Sequence, residues 1–373
     1  GLATATKYNG VWAILFPFLF HFTGLKRVEI KKGLRDKKLL LIPLFFFIGF
    51  FIGCPYSILA FSEFKAGIFH QMNRFILVQH GDIGNPFLYH ILYSLRYGMG
   101  TPLLLFSFIS IMWVIAKRDR INILFLIWVI SYYIFIAIFF KSKFARHMLP
   151  ILPFLSILVS GFFLSLLEER RKLLRLTGCI LSFGIILYTF LYTFAYDTLY
   201  TREDPRTQAS QWIEKNIPPH TRIGVLWKPY FYTPPIINME YWVEGETEYN
   251  KDNPEKYNQY EIIVLKDSSM KETQRKTPDF IVLSEYEYRD ALRFPEIFSK
   301  EKKLLNFIQR NYTLIEKFEN LPSIGKLKFR KGFPPHDWLY PYPAILIYKY
   351  KTTSSTSSPQ ELISSPRATF SHG

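Results

Sequence analysis

Four stretches of this chain, residues 39–61, 121–140, 148–167 and 176–195, each run for about 20 residues with almost no charge. At the rise of an α-helix that length crosses a hydrocarbon layer of about 30 Å, where the main chain must satisfy its own hydrogen bonds. A helical membrane domain follows. A weaker span runs over residues 97–116, and residues 11–24 have the character of the end of another. The chain opens inside an apolar segment with Gly1 in place of Met, so the sequence reads as an N-terminally truncated domain of about six spans over residues 1–195.

Apolar residues make up 49% of the chain, Phe alone is 36 of 373 residues, and yet the mean hydropathy is only +0.07. The two halves must therefore differ, and they do. After Ala195, Asp204 followed by Pro205 forms an N-cap and first-turn pair. Residues 207–217 place Ala209, Trp212, Ile213 and Ile217 on one helix face, and Pro218–Pro219 stops the run. Short β-type runs follow at 223–226, 262–265, 280–283 and 345–348, with an amphipathic helix over 302–311. The alternation predicts a small soluble α/β domain over residues 196–351. Residues 352–373, rich in Ser, Thr and Pro, read as a disordered tail.

Basic residues set the orientation. Lys26, Arg27, Lys31, Lys32, Arg35, Lys37 and Lys38 fill one loop, Lys117, Arg118 and Arg120 a second, and Arg170, Arg171, Lys172 and Arg175 a third. If every span crosses once, these 14 residues share a side, and the positive-inside rule makes that side cytoplasmic. The opposite, external side then holds residues 62–96, 141–147 and everything after 195, with six basic residues in the two loops: Lys65, Arg74, Arg96, Lys141, Lys143 and Arg146. Against five acidic residues, the three basic loops also supply nine of the chain's sixteen net positive charges. The high charge is thus largely topological, and no helix-turn-helix, zinc or RNP-like pattern points to nucleic acid.

The segment KSKFARHMLPILPF, residues 141–154, concentrates the chemistry. Lys141, Lys143, Arg146 and His147 sit where one hydrocarbon slab ends and the next begins. Cations there must snorkel, pair or bind something. They are either interfacial anchors or ligands of a phosphate at the membrane surface. The two cysteines, Cys54 and Cys179, both lie in predicted spans and make neither a disulfide framework nor a CxxC metal site. His70, His80 and His90 share one external loop, but their intervals match no zinc pattern, and they read as solvated or interfacial.

Several segments, taken in order, resemble a known family. GLATATKYNG (1–10), GNPFLYHILYSLRYGMGTPLLL (84–105), ARHMLPILPFLSIL (145–158) and DPRTQASQWIEKNIPP (204–219) are similar to stretches of bacterial membrane glycosyltransferases of the GT-C class. The resemblance is to the dolichyl-phosphate-mannose-protein mannosyltransferase-like and aminoarabinose-transferase-like proteins, and PPHDWLYPYPAILIYKY (334–350) resembles the C-terminal end of some members. It implies the C-terminal part of a GT-C-type bundle in a bacterial inner membrane, with the α/β domain on the periplasmic face. The implied activity moves a sugar from a polyprenyl-phosphate carrier to a lipid, glycan or protein acceptor, with no cofactor assigned and a divalent metal left open.

That chemistry needs cations to stabilise the leaving phosphate and a carboxylate to accept the acceptor's proton. Arg146 is the first choice for the phosphate, because its planar fork holds two oxygens, with Lys143, Lys141, His147 and Lys7 beside it. In the resembled family the catalytic carboxylate lies in an external loop that would precede Gly1, so no residue here inherits that role. Asp82, Asn85 and Tyr89 are candidates for a substrate-facing loop, although Gly81, Gly84 and Pro86 also predict a turn there. A second class stays open: a non-catalytic membrane protein, either a transporter or an assembly partner that binds polyprenyl lipids. Transporters place ionisable groups and helix breaks near the midplane, whereas these charges cluster at loop ends, which favours the enzyme.

Overall fold

The computed structural model describes residues 1–22, 33, 35–73, 84–236, 259–265, 277–329 and 332–351. The expected tail at 352–373 lies outside the described residues. The chain forms two units, one of residues 1–203 with 320–342 and the other of residues 204–319 with 343–373.

The first unit is helical. Three of its helical stretches are long and apolar enough to cross a membrane: Arg120–Phe139, Ala145–Leu167 and one beginning at Lys172, whose first helix runs to Asp197. They match the expected spans at 121–140, 148–167 and 176–195. The weaker span at 97–116 takes a different form. A helix runs over Thr101–Lys117, and it meets the segment Pro86–Met99 at a bend of 116°. The hinge is Gly100, at φ +78°, where an added Cβ would lie 2.8 Å from Cε1 of Tyr188. Only glycine meets both demands without strain.

The expected span at 39–61 is not one helix. Leu41–Gly53 is a 13-residue helix about 20 Å long, too short for the hydrocarbon layer. Cys54 precedes Pro55, whose ring disfavours helical backbone in the residue before it, and Cys54 adopts φ −138°, ψ 69°. A second break falls at Ala60 (φ −129°, ψ 58°) before the helix Phe61–Met72. The apolar stretch at 11–24 is likewise divided, into a 3₁₀ turn Tyr8–Ile14 and a helix Leu15–His21. Hydropathy measured apolar length correctly but could not see these breaks. The helices Arg120–Phe139 and Ala145–Leu167 still put loop 141–147 at the opposite end from Lys117–Arg120 and Arg170–Arg175. The place of the loop at 26–38 in that alternation rested on the broken span.

A core of Leu95, Met99, Trp128, Tyr132, Ile136, Met148, Ile151 and Leu155 packs the spans together. Trp128 sits at its centre, stacked on Phe16 (5.0 Å) and Tyr132 (5.5 Å). Outward-facing side chains such as Phe183 and Ile186 stay about two-thirds exposed, at 67% and 68%. A soluble protein avoids so extended an apolar surface, and a lipid-facing helix requires it.

The second unit is α/β. Its five-stranded sheet has the order β2-β1-β3-β7-β4, built from β1 (Arg222–Val225), β2 (Glu261–Val264), β3 (Phe280–Ser284), β4 (Tyr312–Phe318) and β7 (Ile345–Tyr350). β1 pairs in parallel with β2 and β3, and β7 runs antiparallel to β3 and β4. The period of two divides the strand residues between two cores. Val282, Ile345 and Ile347 join Ala209 and Ile213 of helix Pro205–Asn216 and Ile217 just after it, while Ile281, Leu283, Leu346 and Tyr348 join Leu304, Leu305 and Ile308 of helix Ser299–Asn311. Asp204 caps the first helix as expected, accepting a bond from the Arg206 amide at 2.8 Å.

The units divide at Glu203, not at Ala195, and residues 320–342 return to the helical unit. There β5 (Ser323–Ile324) and β6 (Leu327–Lys328) form a small hairpin. Arg202 donates to the Leu321 carbonyl (3.0 Å), Thr198 to the Ser323 carbonyl (3.0 Å) and Asn320 to the Glu203 carbonyl (2.8 Å). Nothing in the hydropathy of this polar segment signals the return.

Candidate functional site

The site grows out of the joint between two spans. Helix Arg120–Phe139 ends at Phe140 in extended backbone, and a 3₁₀ turn over Ala145–Ile151 starts the next span. Phe144, at the N-cap, has no side chain able to accept a bond, so the first amides of the turn need another partner. Asp337 supplies it from 192 residues away: Oδ1 accepts from the Ala145 amide at 3.0 Å and Oδ2 from the Arg146 amide at 3.2 Å. A carboxylate is the charge that a helical N-terminus favours. Burial holds the Asp337 carboxyl above the usual carboxylate range, while the two amides and the Arg146 charge pull against that rise. The next residue, Trp338, packs edge-on to Tyr97 (5.9 Å) and Tyr196 (4.8 Å), which fixes the strap that carries the carboxylate.

The basic side chains of the joint divide by burial. Lys143 and His147 are buried, Arg146 is half-buried and Lys141 is exposed. The Arg146 guanidinium lies 4.1 Å over the ring of Phe144 and makes no ion pair within 4 Å among the described residues. The imidazole of His147 lies between the rings of Phe140 (5.3 Å) and Phe144 (5.6 Å). Its carbonyl accepts the Tyr132 hydroxyl at 2.9 Å, and that hydroxyl accepts from the Asn9 amide at 3.2 Å. The N-terminal segment is thereby tied to the joint. Lys7, two residues before Asn9, is exposed, and its charge acts on His147.

A further residue comes from the bent segment. His90 is fully buried, its Nδ1 lies 2.9 Å from the Ser94 hydroxyl, and Lys143 and His147 are its electrostatic neighbours. It opens a π-helical turn, His90–Leu95, a rare conformation that recurs at functional sites. The expectation of a solvated or interfacial His90 is corrected: core packing on the bent segment turns it inward. The sequence held one signal, a His and a Ser four residues apart within an apolar run.

The other candidates fall elsewhere. Asn85 is a helix cap whose Oδ1 accepts from the Phe87 (2.9 Å) and Leu88 (3.4 Å) amides, and Tyr89 is buried and stacked on Tyr93 at 5.2 Å. Asp82 and His80 lie outside the described residues, and His70 is exposed. Among the described residues, no group of three or more His, Cys, Asp or Glu side chains could hold a metal ion.

The structure thus gathers Lys143, Arg146, His147, Lys7 and His90 around one membrane-edge joint. Of these, Lys143, Arg146 and Lys7 carry positive charge, and among apolar walls, where screening is weak, such charge attracts an anion strongly. The fold and site define a helical membrane protein that carries an α/β unit. No known family model matches the sequence, and no curated protein matches it either.

Proposed function

We propose that this protein is a membrane glycosyltransferase that moves a sugar from a polyprenyl-phosphate carrier to an acceptor on the external face of a bacterial inner membrane. One observation carries the reading: Lys143, Arg146 and His147 meet Lys7 and His90, from two distant segments, where a phosphate at the membrane edge would meet them. In this reading the guanidinium of Arg146 swings from the Phe144 ring to the carrier phosphate. Lys143 neutralises the charge that builds on the phosphate as the sugar departs, and His147 and His90 offer imidazole N–H donors to its oxygens. Asp337 has both oxygens bonded to main-chain amides, which suits it to holding the arm rather than to removing a proton.

The test uses the complete gene product in lipid nanodiscs with a polyprenyl-phosphate sugar. Arg146→Ala is expected to lower kcat/KM by about 10²-fold or more, the scale seen when a transition-state donor is lost. Unchanged turnover in a folded variant rejects the assignment. The non-catalytic reading gains one specific support, the 116° bend beside a buried histidine, because transporters build sites from discontinuous helices. Flux of a polyprenyl-linked sugar across proteoliposomes without transfer to any acceptor would select it.

A further inference from the structure

We infer that the aromatic loop after β1, residues 227–235, inserts into the headgroup region of a lipid bilayer and anchors the α/β unit there. The loop reads WKPYFYTPP. Among the described residues of this unit, the large apolar side chains left exposed are Tyr230 (50%), Phe231 (43%), Ile297 and Tyr350, and only the first two adjoin. Lys228 beside them is exposed as well. Aromatic rings with an amphipathic edge, next to a lysine, make the composition found where proteins meet headgroups.

Ring geometry separates lipid from the other natural guest of exposed aromatics, a saccharide. Tyr230 and Phe231 stand 4.9 Å apart at 70°, and Tyr232 meets them at 69° and 74°. Mutually perpendicular rings form a wedge. The exposed rings of Tyr230 and Phe231 are not coplanar, so they form no shared flat platform of the kind an extended saccharide would cover.

The wedge is also rigid. The Thr233 amide donates to the Tyr230 carbonyl (2.9 Å), the Tyr230 amide to the Thr233 hydroxyl (3.2 Å), and the Tyr232 hydroxyl to the Lys228 carbonyl (2.8 Å). At its root, Glu287 accepts from the Trp227 amide at 2.9 Å. Pro229, Pro234 and Pro235 restrict the chain further. A preordered loop gives up little entropy on insertion.

Connectivity supplies the partner. The unit begins at Asp204, seven residues beyond the end of the apolar helix at Asp197. Such a tether reaches about 25 Å at most, less than the diameter of roughly 35 Å expected for a domain of this size. The tether keeps the unit close to the bilayer, and the Arg206 guanidinium, two residues into the unit, donates to the Phe231 carbonyl at 2.5 Å, which puts the wedge at the tethered end.

The test is site-directed spin labelling of the complete chain in nanodiscs of mixed zwitterionic and anionic phospholipid, with Cys54 and Cys179 replaced. Labels at Tyr230→Cys and Phe231→Cys should favour collision with oxygen over a water-soluble nickel complex, by about threefold or more relative to Ile297→Cys as the aqueous control. Nickel access equal to that control overturns the inference. Shielding that appears only when an oligosaccharide is added also overturns it. If the labels disturb folding, a lipid with a photoreactive headgroup can be crosslinked to the unmodified chain. Adducts within 227–235 support the anchor, and adducts confined to the helical unit reject it.

Discussion

The helical unit and the α/β unit solve the same problem with opposite surfaces. The first turns Phe and Ile outward and gathers lysine, histidine and serine inside, around Lys143, His147 and His90. The second buries its aliphatic residues on both faces of a sheet and, apart from Glu285, Glu287 and Arg289, keeps its charged side chains at least partly exposed among the described residues. Each nevertheless contains a carboxylate drawn out of water that accepts two main-chain amides: half-buried Asp337 in the helical unit and fully buried Glu287 in the α/β unit. Glu287 binds the Ser284 amide three residues away at 2.7 Å, together with that of Trp227. Asp337 reaches amides 192 and 191 residues distant. The Ser284 half of the Glu287 clamp follows from a capping-box pattern, whereas its Trp227 half, 60 residues away, and both halves of the Asp337 clamp exist only once the chain has folded.

The comparison can be broken first at Glu287. Burial raises its carboxyl from the ordinary 4.5 to about 7, against the pull of the amides it accepts. The folded unit therefore holds a proton that the unfolded chain releases, so this group's contribution is complete below about pH 4.5 and is lost as pH rises through about 7. The loss amounts to about 3 kcal/mol. Hydrogen exchange at the Trp227 and Ser284 amides, corrected for intrinsic rates, should show protection falling over that window. In Glu287→Gln the pH dependence should flatten, and a retained slope would assign it to another group.

At Asp337 the expected effect is somewhat smaller. Asp337→Ala leaves the Ala145 and Arg146 amides without their partner and should cost about 2 kcal/mol, with Asp337→Asn intermediate. Exchange should quicken at those two amides while helix Leu152–Leu167 keeps its protection. If exchange there is unchanged, the strap does not hold the arm.

The smallest effect marks the limit of surface charge. Arg222 and Asp279 form an ion pair at 3.2 Å, yet their side chains are 42% and 48% exposed. Arg222→Ala should change stability by less than about 1 kcal/mol, read by denaturant unfolding. A cost approaching that of Asp337→Ala would mean that burial is not what separates these interactions.

Much of the fold was legible because its signals are local. The spans at Arg120–Phe139 and Ala145–Leu167 follow from apolar length, and β1, β2, β3 and β7 from short β-branched runs. β4 was harder to read, since YTLIEKF interleaves charge with apolar residues at an edge and follows a helix directly. The divided segment at 39–61 shows the converse. Its proline was visible, but the sum of hydropathy outweighed it.

By itself the sequence determined most of the segments that seek hydrocarbon, where the cations of the joint stand and four of the five strands of the sheet. Each of these depends on neighbours within a turn or two of chain. The tertiary structure alone decided that Gly100 folds one apolar run back on another, that His90 turns inward to Lys143 and His147, and that Asp337 returns to cap the turn bearing Arg146. Those contacts join groups tens to nearly two hundred residues apart, and their energy comes from packing that no local pattern encodes.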